Sequence, residues 1–398
     1  MELIKLFIIF IFIVVLLGFK KPLGPVIFVA TILLGVLFLI PPLEFTNAYI
    51  SSITSIDTIE FILVLFFIML LEHIMGQVGY MEGMLGAMNA IFHSKRINIA
   101  VLPAVIGLLP SAGGALFSAP LVGKSAEGTA LSPEDKSFLN VYYRHIMELF
   151  FPTYPCVLLT AQISGFPLPQ VVLIMLPWSL FMAIIGIFYL RKIKKEEKLI
   201  SIPLKTALMQ MLTNFWPFLL IVILIIFCGI RTSIASCITL LAVILVSRVK
   251  PCQLLTMLKN GTNISILLMV LFVLAFKDIL SYSGAVESLP TLVASWPIPP
   301  YLVFCILCTF ITLITGMMLP MVAIGLPLAF SAIPNGGILL MMLLLLAGYA
   351  GNMITPMHIC TNIVSQYFHA DLRKVLVMSI PPYSLVLVLG IIAYIILS

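Results

Sequence analysis

The sequence predicts an all-α integral membrane protein built from two inverted repeats, each with five transmembrane helices and one re-entrant hairpin, with broken helices at the centre. Three observations predict it. The 398 residues are 62% hydrophobic and only 9% charged, with a mean hydropathy of +1.23, whereas a soluble domain needs roughly a quarter charged residues to clothe its surface. Apolar runs of about 15–22 residues recur from end to end, the length that crosses a hydrocarbon core. The second half also aligns with the first in one continuous order.

Full spans are expected at 3–19, 23–40, 58–77, 168–190, 214–230, 232–247, 262–281 and 376–397. Two more segments, 137–165 and 337–368, are long and interrupted by proline, and read as broken helices. Segments 97–125 and 301–333 have Gly, Pro and Ser breaks at their centres. Each half of such a segment is about 10–15 residues, too short to cross alone, so both read as re-entrant hairpins. The first repeat then covers 1–200 and the second 207–398. The first apolar run has the length of a signal-peptide core, but Lys20-Lys21 and a further apolar run follow it, so it is kept as a helix.

Charge placement tests this layout. With Lys20-Lys21 in the cytoplasm, the 21 Lys and Arg residues all fall in cytoplasmic segments except Lys5 and Arg231 outside and Arg144 and Lys277 within helices. Letting either hairpin cross fully would invert the later charges and abolish the bias. The positive-inside rule therefore predicts ten crossings, two re-entrant hairpins and both termini outside the cytoplasmic membrane. The net charge of +6 belongs to these short loops and does not imply nucleic acid.

The repeat is explicit. A shift of 205 lays Gly79-x-x-Glu82 on Gly284-x-x-Glu287, and the hairpin centre at Pro110–Gly114 on Thr315–Leu319. After a one-residue slip, a shift of 204 matches Pro152 with Pro356, Cys156 with Cys360, Gln162 with Gln366, Pro177 with Pro381 and Gly186 with Gly390. Five crossings per half is an odd number, so the second half enters from the opposite side. Inverted repeats with paired, interrupted segments are a recurring plan of secondary transporters, whose sites lie near mid-membrane at the repeat interface.

Chain that is not helical at membrane depth must be enclosed by protein or line a wet cavity. Four such breaks are expected, at 109–114, 151–155, 315–320 and 351–358. Half-helices ending there expose amides that favour an anion, with Ser111, Gly113, Gly114, Thr153, Tyr154, Thr315 and Gly316 as the candidate lining. Carbonyl ends with the oxygens of Asn352 and Thr355 suit a hard cation such as sodium, the one ion cofactor the sequence suggests. His358 lies at the same break as a candidate ligand or proton relay. The alternative at every break is a Pro or Gly kink in a packed helix.

Other ionisable residues fall within helices: Glu60, Glu72, His73, Arg144, His145, Glu148, Lys277 and Asp278. Arg144 and Glu148 are four apart and are expected to pair along one helix face. Glu72 and Lys277 are repeat-equivalent and are expected to snorkel to the interface. The seven cysteines are read as packing, because the Cys305-x-x-Cys308 pair lies inside a helix with no second pair to complete a zinc site.

With these elements placed, the chain resembles the ion-transporter superfamily, which holds divalent-anion/sodium symporters and citrate and gluconate permeases. The order of helices, hairpin and broken helix, given twice, matches that plan over essentially the whole chain. More narrowly, Leu109-Pro110-Ser111-Ala112-Gly113-Gly114-Ala115-Leu116-Phe117-Ser118-Ala119-Pro120 is similar to the hairpin of a prokaryotic integral-membrane family of unknown function. Asn352–His358 is placed as in that family's second broken helix. The resemblance implies solute and coupling ion at hairpin tips and breaks, and a homodimer in the lipid bilayer. Where the dicarboxylate symporters carry Ser-Asn-Thr at both tips, this chain has Ser111-Ala112-Gly113 and Thr315-Gly316-Met317. The expected function is secondary transport of a small, anionic solute, coupled to sodium or protons by alternating access. The alternatives are cation/proton antiport, a channel, or an intramembrane enzyme using Ser111 or Ser118 with His145 or His358; no GxSxG or HExxH pattern supports the last.

Overall fold

The computed structural model describes residues 2–19, 21–80, 83, 84, 86, 87, 94–108, 114–193, 204–284 and 297–398. Among them the chain is helical with no strand. In chain order the first half comprises α1 (Glu2–Gly18), α2 (Leu23–Leu37), α3 (Pro42–Thr54), α4 (Ile56–Gln77), α5 (Lys95–Ile106), α6 (Gly114–Ser125), α7 (Pro133–His145), α8 (Pro155–Ser164) and α9 (Leu168–Tyr189). The second half comprises α10 (Leu204–Val222), α11 (Thr232–Val246), α12 (Pro251–Gly261), α13 (Ile264–Tyr282), α14 (Pro300–Thr315), α15 (Met318–Ala332), α16 (Gly337–Ile354), α17 (Ile359–Tyr367) and α18 (Leu372–Leu397).

The two halves interlock reciprocally. Helix α2 packs on α13 while α11 packs on α4; α3 covers α13 while α12 covers α4. Deeper in, α15 packs on α8 and α17 on α6. Each half thus completes the other through equivalent elements, as a twofold relation between inverted repeats requires. The hairpin arms α5 and α6 lie against α7, as α14 and α15 lie against α16.

Six helical stretches are long and apolar enough to cross a membrane, so the chain is a multi-pass membrane protein. Enclosure separates the core from the periphery. The stretch Gly337–Tyr367 has 78% of its most apolar window buried by protein, against 22% for Lys205–Phe227. Helix α16 is therefore the central post, and α10 faces lipid.

Several expected boundaries shift. The span placed at 214–230 begins at Leu204 and ends in a π-helical turn at Ile223–Phe227. The last helix starts at Leu372 rather than 376, where Asp371 caps the amide of Arg373. The first broken helix starts at Pro133, behind a capping box formed by Ser132 and Asp135. Between the expected spans, the structure adds helices α3 and α12. Neither is apolar enough to span, so a search for spans passes over them. Each instead lies across a helix of the other half: Ser52 Oγ of α3 donates to Asp278 Oδ2 at 2.6 Å, and a Cβ on Gly261 would meet the His73 ring at 2.9 Å.

Candidate functional site

The second break is the best-defined part of the centre. Helix α16 stops at Ile354 because Pro356 has no N–H to offer the Asn352 carbonyl. The next amides turn away from the helix: Met357 N–H donates to Thr355 Oγ1 at 3.1 Å, and His358 N–H to the Thr355 carbonyl at 3.4 Å. The carbonyls of Asn352, Met353 and Ile354 are thereby left without the donors that would continue the helix. Beyond the break α17 starts with no side-chain cap at His358, so its first amides point back into the gap.

The turn of the second hairpin is seated on this break. Gly316 ends α14 in the left-handed conformation at φ +66°, and a Cβ there would lie 2.5 Å from the Met357 carbonyl. Only glycine permits both the backbone angle and the approach. Thr355 Oγ1 donates to the Leu313 carbonyl at 2.5 Å, fixing the break to α14. Higher up, a Cβ on Gly351 would lie 2.6 Å from the Thr309 carbonyl, so α14 and α16 touch through backbone. Helix α15 begins at Met318 with no side-chain cap, adding a second free amide end.

His358 joins the two halves. Its Nδ1 lies 3.1 Å from Asn352 Oδ1 and 3.3 Å from the Gly316 carbonyl, and its Nε2 lies 3.1 Å from Nε2 of His145 at the end of α7. His145 Nδ1 in turn lies 2.8 Å from the Val141 carbonyl. Both imidazoles are buried, at 5% and 6% exposure.

The first break repeats this plan with different side chains. Helix α7 ends at His145, a 3-10 turn spans Ile146–Leu149, and α8 restarts at Pro155 with no side-chain cap. Tyr154, the repeat counterpart of His358, donates its hydroxyl to the Gly107 carbonyl beside the first hairpin. Each half thus ties its broken helix to a backbone carbonyl of its own hairpin. Buried side-chain oxygens at the breaks, Thr153 Oγ1, Glu148 Oε2 and Thr361 Oγ1, have no hydrogen-bond partner among the described residues.

Of the residues singled out from sequence, Thr315, Gly316, Asn352, Thr355 and His358 come together at the second break, and Thr153 and Tyr154 lie at the first. The Thr315 hydroxyl turns back to the Ile311 and Met317 carbonyls, at 2.8 and 3.2 Å, which steadies the turn. Ser111 and Gly113 lie outside the described residues, and Gly114 opens α6. Two expectations are corrected. The α-helical spacing assumed for Arg144 and Glu148 is replaced by the 3-10 turn after His145, while the Arg144 charge still acts on Glu148. Glu72 does not snorkel, since its Oε1 is fully enclosed. Sequence reasoning held His145 only as an ionisable helix residue and a candidate base in the enzyme alternative, and read Cys360 as packing; a heavier weight on the 204-residue shift, which pairs Glu148 with Asn352 and Tyr154 with His358, would have drawn the eye to α7.

Interlocked halves with paired broken helices, and a hairpin turn seated on the second of them, define a multi-pass α-helical membrane protein of transporter fold. A family model described as "Protein of unknown function (DUF401)" matches residues 2–397, and the chain belongs to that family. The crystal structure of the YdaH transporter of Alcanivorax borkumensis shares the fold, with a TM-score of 0.62 over 90% of this chain and 89% of that one. At 12% identity that likeness concerns the fold alone. A comparison with curated proteins returns no match.

Proposed function

We propose that this protein is a secondary active transporter that moves a small anionic solute across the cytoplasmic membrane, coupled to sodium, by alternating access between its two halves. The observation that carries the reading is the second break. Freed carbonyls of Asn352, Met353 and Ile354 lie beside the uncapped amide ends of α15 and α17, so a cation end and an anion end adjoin at one enclosed place. Asn352 and Thr355 side-chain oxygens complete the cation end. Unpartnered buried oxygens are uncommon in folded proteins, and those of Thr153, Glu148 and Thr361 are seats for solute, ion or water at both breaks.

The fold of the YdaH transporter and the superfamily resemblance support transport rather than catalysis. The expected division into repeats 1–200 and 207–398, with re-entrant hairpins and both termini outside, supplies the two gates. A cavity of about 540 Å³, lined by Asp57, Glu60, Gln162 and Arg231, opens between α4, α8 and the start of α11 on the expected outer face.

The test is a thermal-shift screen of purified protein against organic anions and oxyanions, with sodium or with choline as the only cation. A ligand that binds the native state raises apparent stability by RT ln(1 + [L]/Kd), about 2.7 kcal/mol at a hundredfold excess over Kd. Sodium-dependent stabilisation by one anion class, followed by sodium-driven uptake of it into proteoliposomes, is the expected result. An anion that stabilises equally in choline removes the sodium assignment. Downhill flux indifferent to any ion gradient removes secondary active transport.

A further inference from the structure

We propose that His145, His358 and Cys360 form a binding site for one thiophilic transition-metal ion, of which zinc is the type, at the seam between the two halves. The ligand atoms of these three residues all lie within 4.8 Å of one another. His145 closes α7 of the first half; His358 and Cys360 open α17 of the second.

The hydrogen bonds fix which atoms face the centre. Nδ1 of His145 faces the Val141 carbonyl, and Nδ1 of His358 faces the Gly316 carbonyl and Asn352 Oδ1. An oxygen acceptor holds the proton of a neutral imidazole on the nitrogen that faces it, which leaves the other nitrogen bare. Both Nε2 atoms are then lone-pair donors, and they face one another at 3.1 Å. With that tautomer at both rings, the two lone pairs repel unless a proton or a metal ion lies between them. Metal-bound histidines have this arrangement, with the remote nitrogen tied to a carbonyl that orients the ring.

The spacing suits the ion. Zinc bonds of roughly 2.0–2.1 Å to nitrogen at a tetrahedral angle put the two nitrogens about 3.3 Å apart, and a sulfur bond of about 2.3 Å puts the thiolate about 3.6 Å from each. The imidazole pair is already within a few tenths of an ångström of that value, and a small movement of the Cys360 side chain completes three ligands. The fourth position stays open for water. The Cys360 thiolate, formed on binding by release of one proton to solvent, offsets one of the ion's two positive charges. This inference does not rest on the transport reading, because it concerns only what the three side chains bind.

The test uses the full chain in detergent, stripped with a chelator and titrated with cobalt(II) and then with zinc in competition. We expect one equivalent of cobalt with tetrahedral absorption and a sulfur-to-cobalt charge-transfer band, displaced by one equivalent of zinc. Cys360→Ser should lose the charge-transfer band, while Cys252→Ser, at an exposed thiol, should keep it. Asn352→Ala, which removes an orienting oxygen, should weaken zinc binding about 10–100-fold. Because histidine variants risk misfolding, zinc protection of Cys360 from alkylation, read by mass spectrometry against Cys228 and Cys252, is measured in the wild-type chain as well. Absence of stoichiometric cobalt and zinc binding by the wild type overturns the proposal, as does a charge-transfer band that survives Cys360→Ser. None of these readouts involves a solute, so their failure leaves the transport reading standing, and the failure of the solute screen leaves the metal site standing.

Discussion

Gly316→Ala separates a tight turn from a functional seat, because the structure supplies its own control. The substitution carries two costs. The left-handed angle of φ +66° costs a residue with a Cβ about 1–2 kcal/mol. The added Cβ, placed 2.5 Å from the Met357 carbonyl, must be relieved by moving the hairpin turn off the break by roughly 1 Å, and overpacking of that kind costs about 1–3 kcal/mol. The sum is about 2–5 kcal/mol. Gly165 has the same class of angle, φ +74°, with nothing within 4 Å of an added Cβ, so Gly165→Ala has the backbone cost alone. The difference between the two variants is therefore the clash, about 1–3 kcal/mol. The assay is thermal unfolding in detergent beside sodium-driven uptake in proteoliposomes. Gly316→Ala should unfold at a clearly lower temperature than Gly165→Ala. It should also lose most uptake, since the moved turn releases both His358 Nδ1 and the Thr355 hydroxyl from their carbonyls. Equal stability of the two variants, with uptake intact in Gly316→Ala, would refute the claim that the hairpin turn is seated on the break.

The remaining predictions concern the ion, the first half and the topology. Asn352→Ala, assayed in chelator-treated protein, should raise the sodium concentration needed for half-maximal uptake; unchanged sodium dependence in an Asn352→Ala/Thr355→Ala double variant would show that these oxygens do not hold the ion. Tyr154→Phe strands the buried Gly107 carbonyl and should cost about 1–3 kcal/mol in thermal or denaturant unfolding, whereas an unchanged midpoint would mean the hydroxyl bond contributes nothing. In a cysteine-accessibility scan, Lys95→Cys and Gly128→Cys should label from the cytoplasm, and Ile298→Cys and Asn335→Cys from outside. Opposite labelling within either pair would mean that hairpin crosses the membrane.

What the sequence by itself determined was everything written as length, apolarity and repetition. The crossing helices were legible because a bilayer demands continuous apolar length. The paired breaks were legible because Pro152 and Pro356, with Cys156 and Cys360 just beyond them, recur at one shift. Asn352, Thr355 and His358 were legible as a cluster because they share one break in the chain. Tertiary structure alone decided the rest. Helices α3 and α12 have too little apolar length to register as spans, and what they cover belongs to the other half. Arg144 and Glu148 lost their expected spacing to a 3-10 turn that no residue between them announces. His145 and Cys360 each sit in a helix where packing is the ordinary expectation, and they lie 215 positions apart. What brings them together is the packing of α7 against α17, a contact between halves that local sequence does not encode. The seam of an inverted repeat is built from surfaces far apart in the chain, so its chemistry becomes visible only once the halves have interlocked.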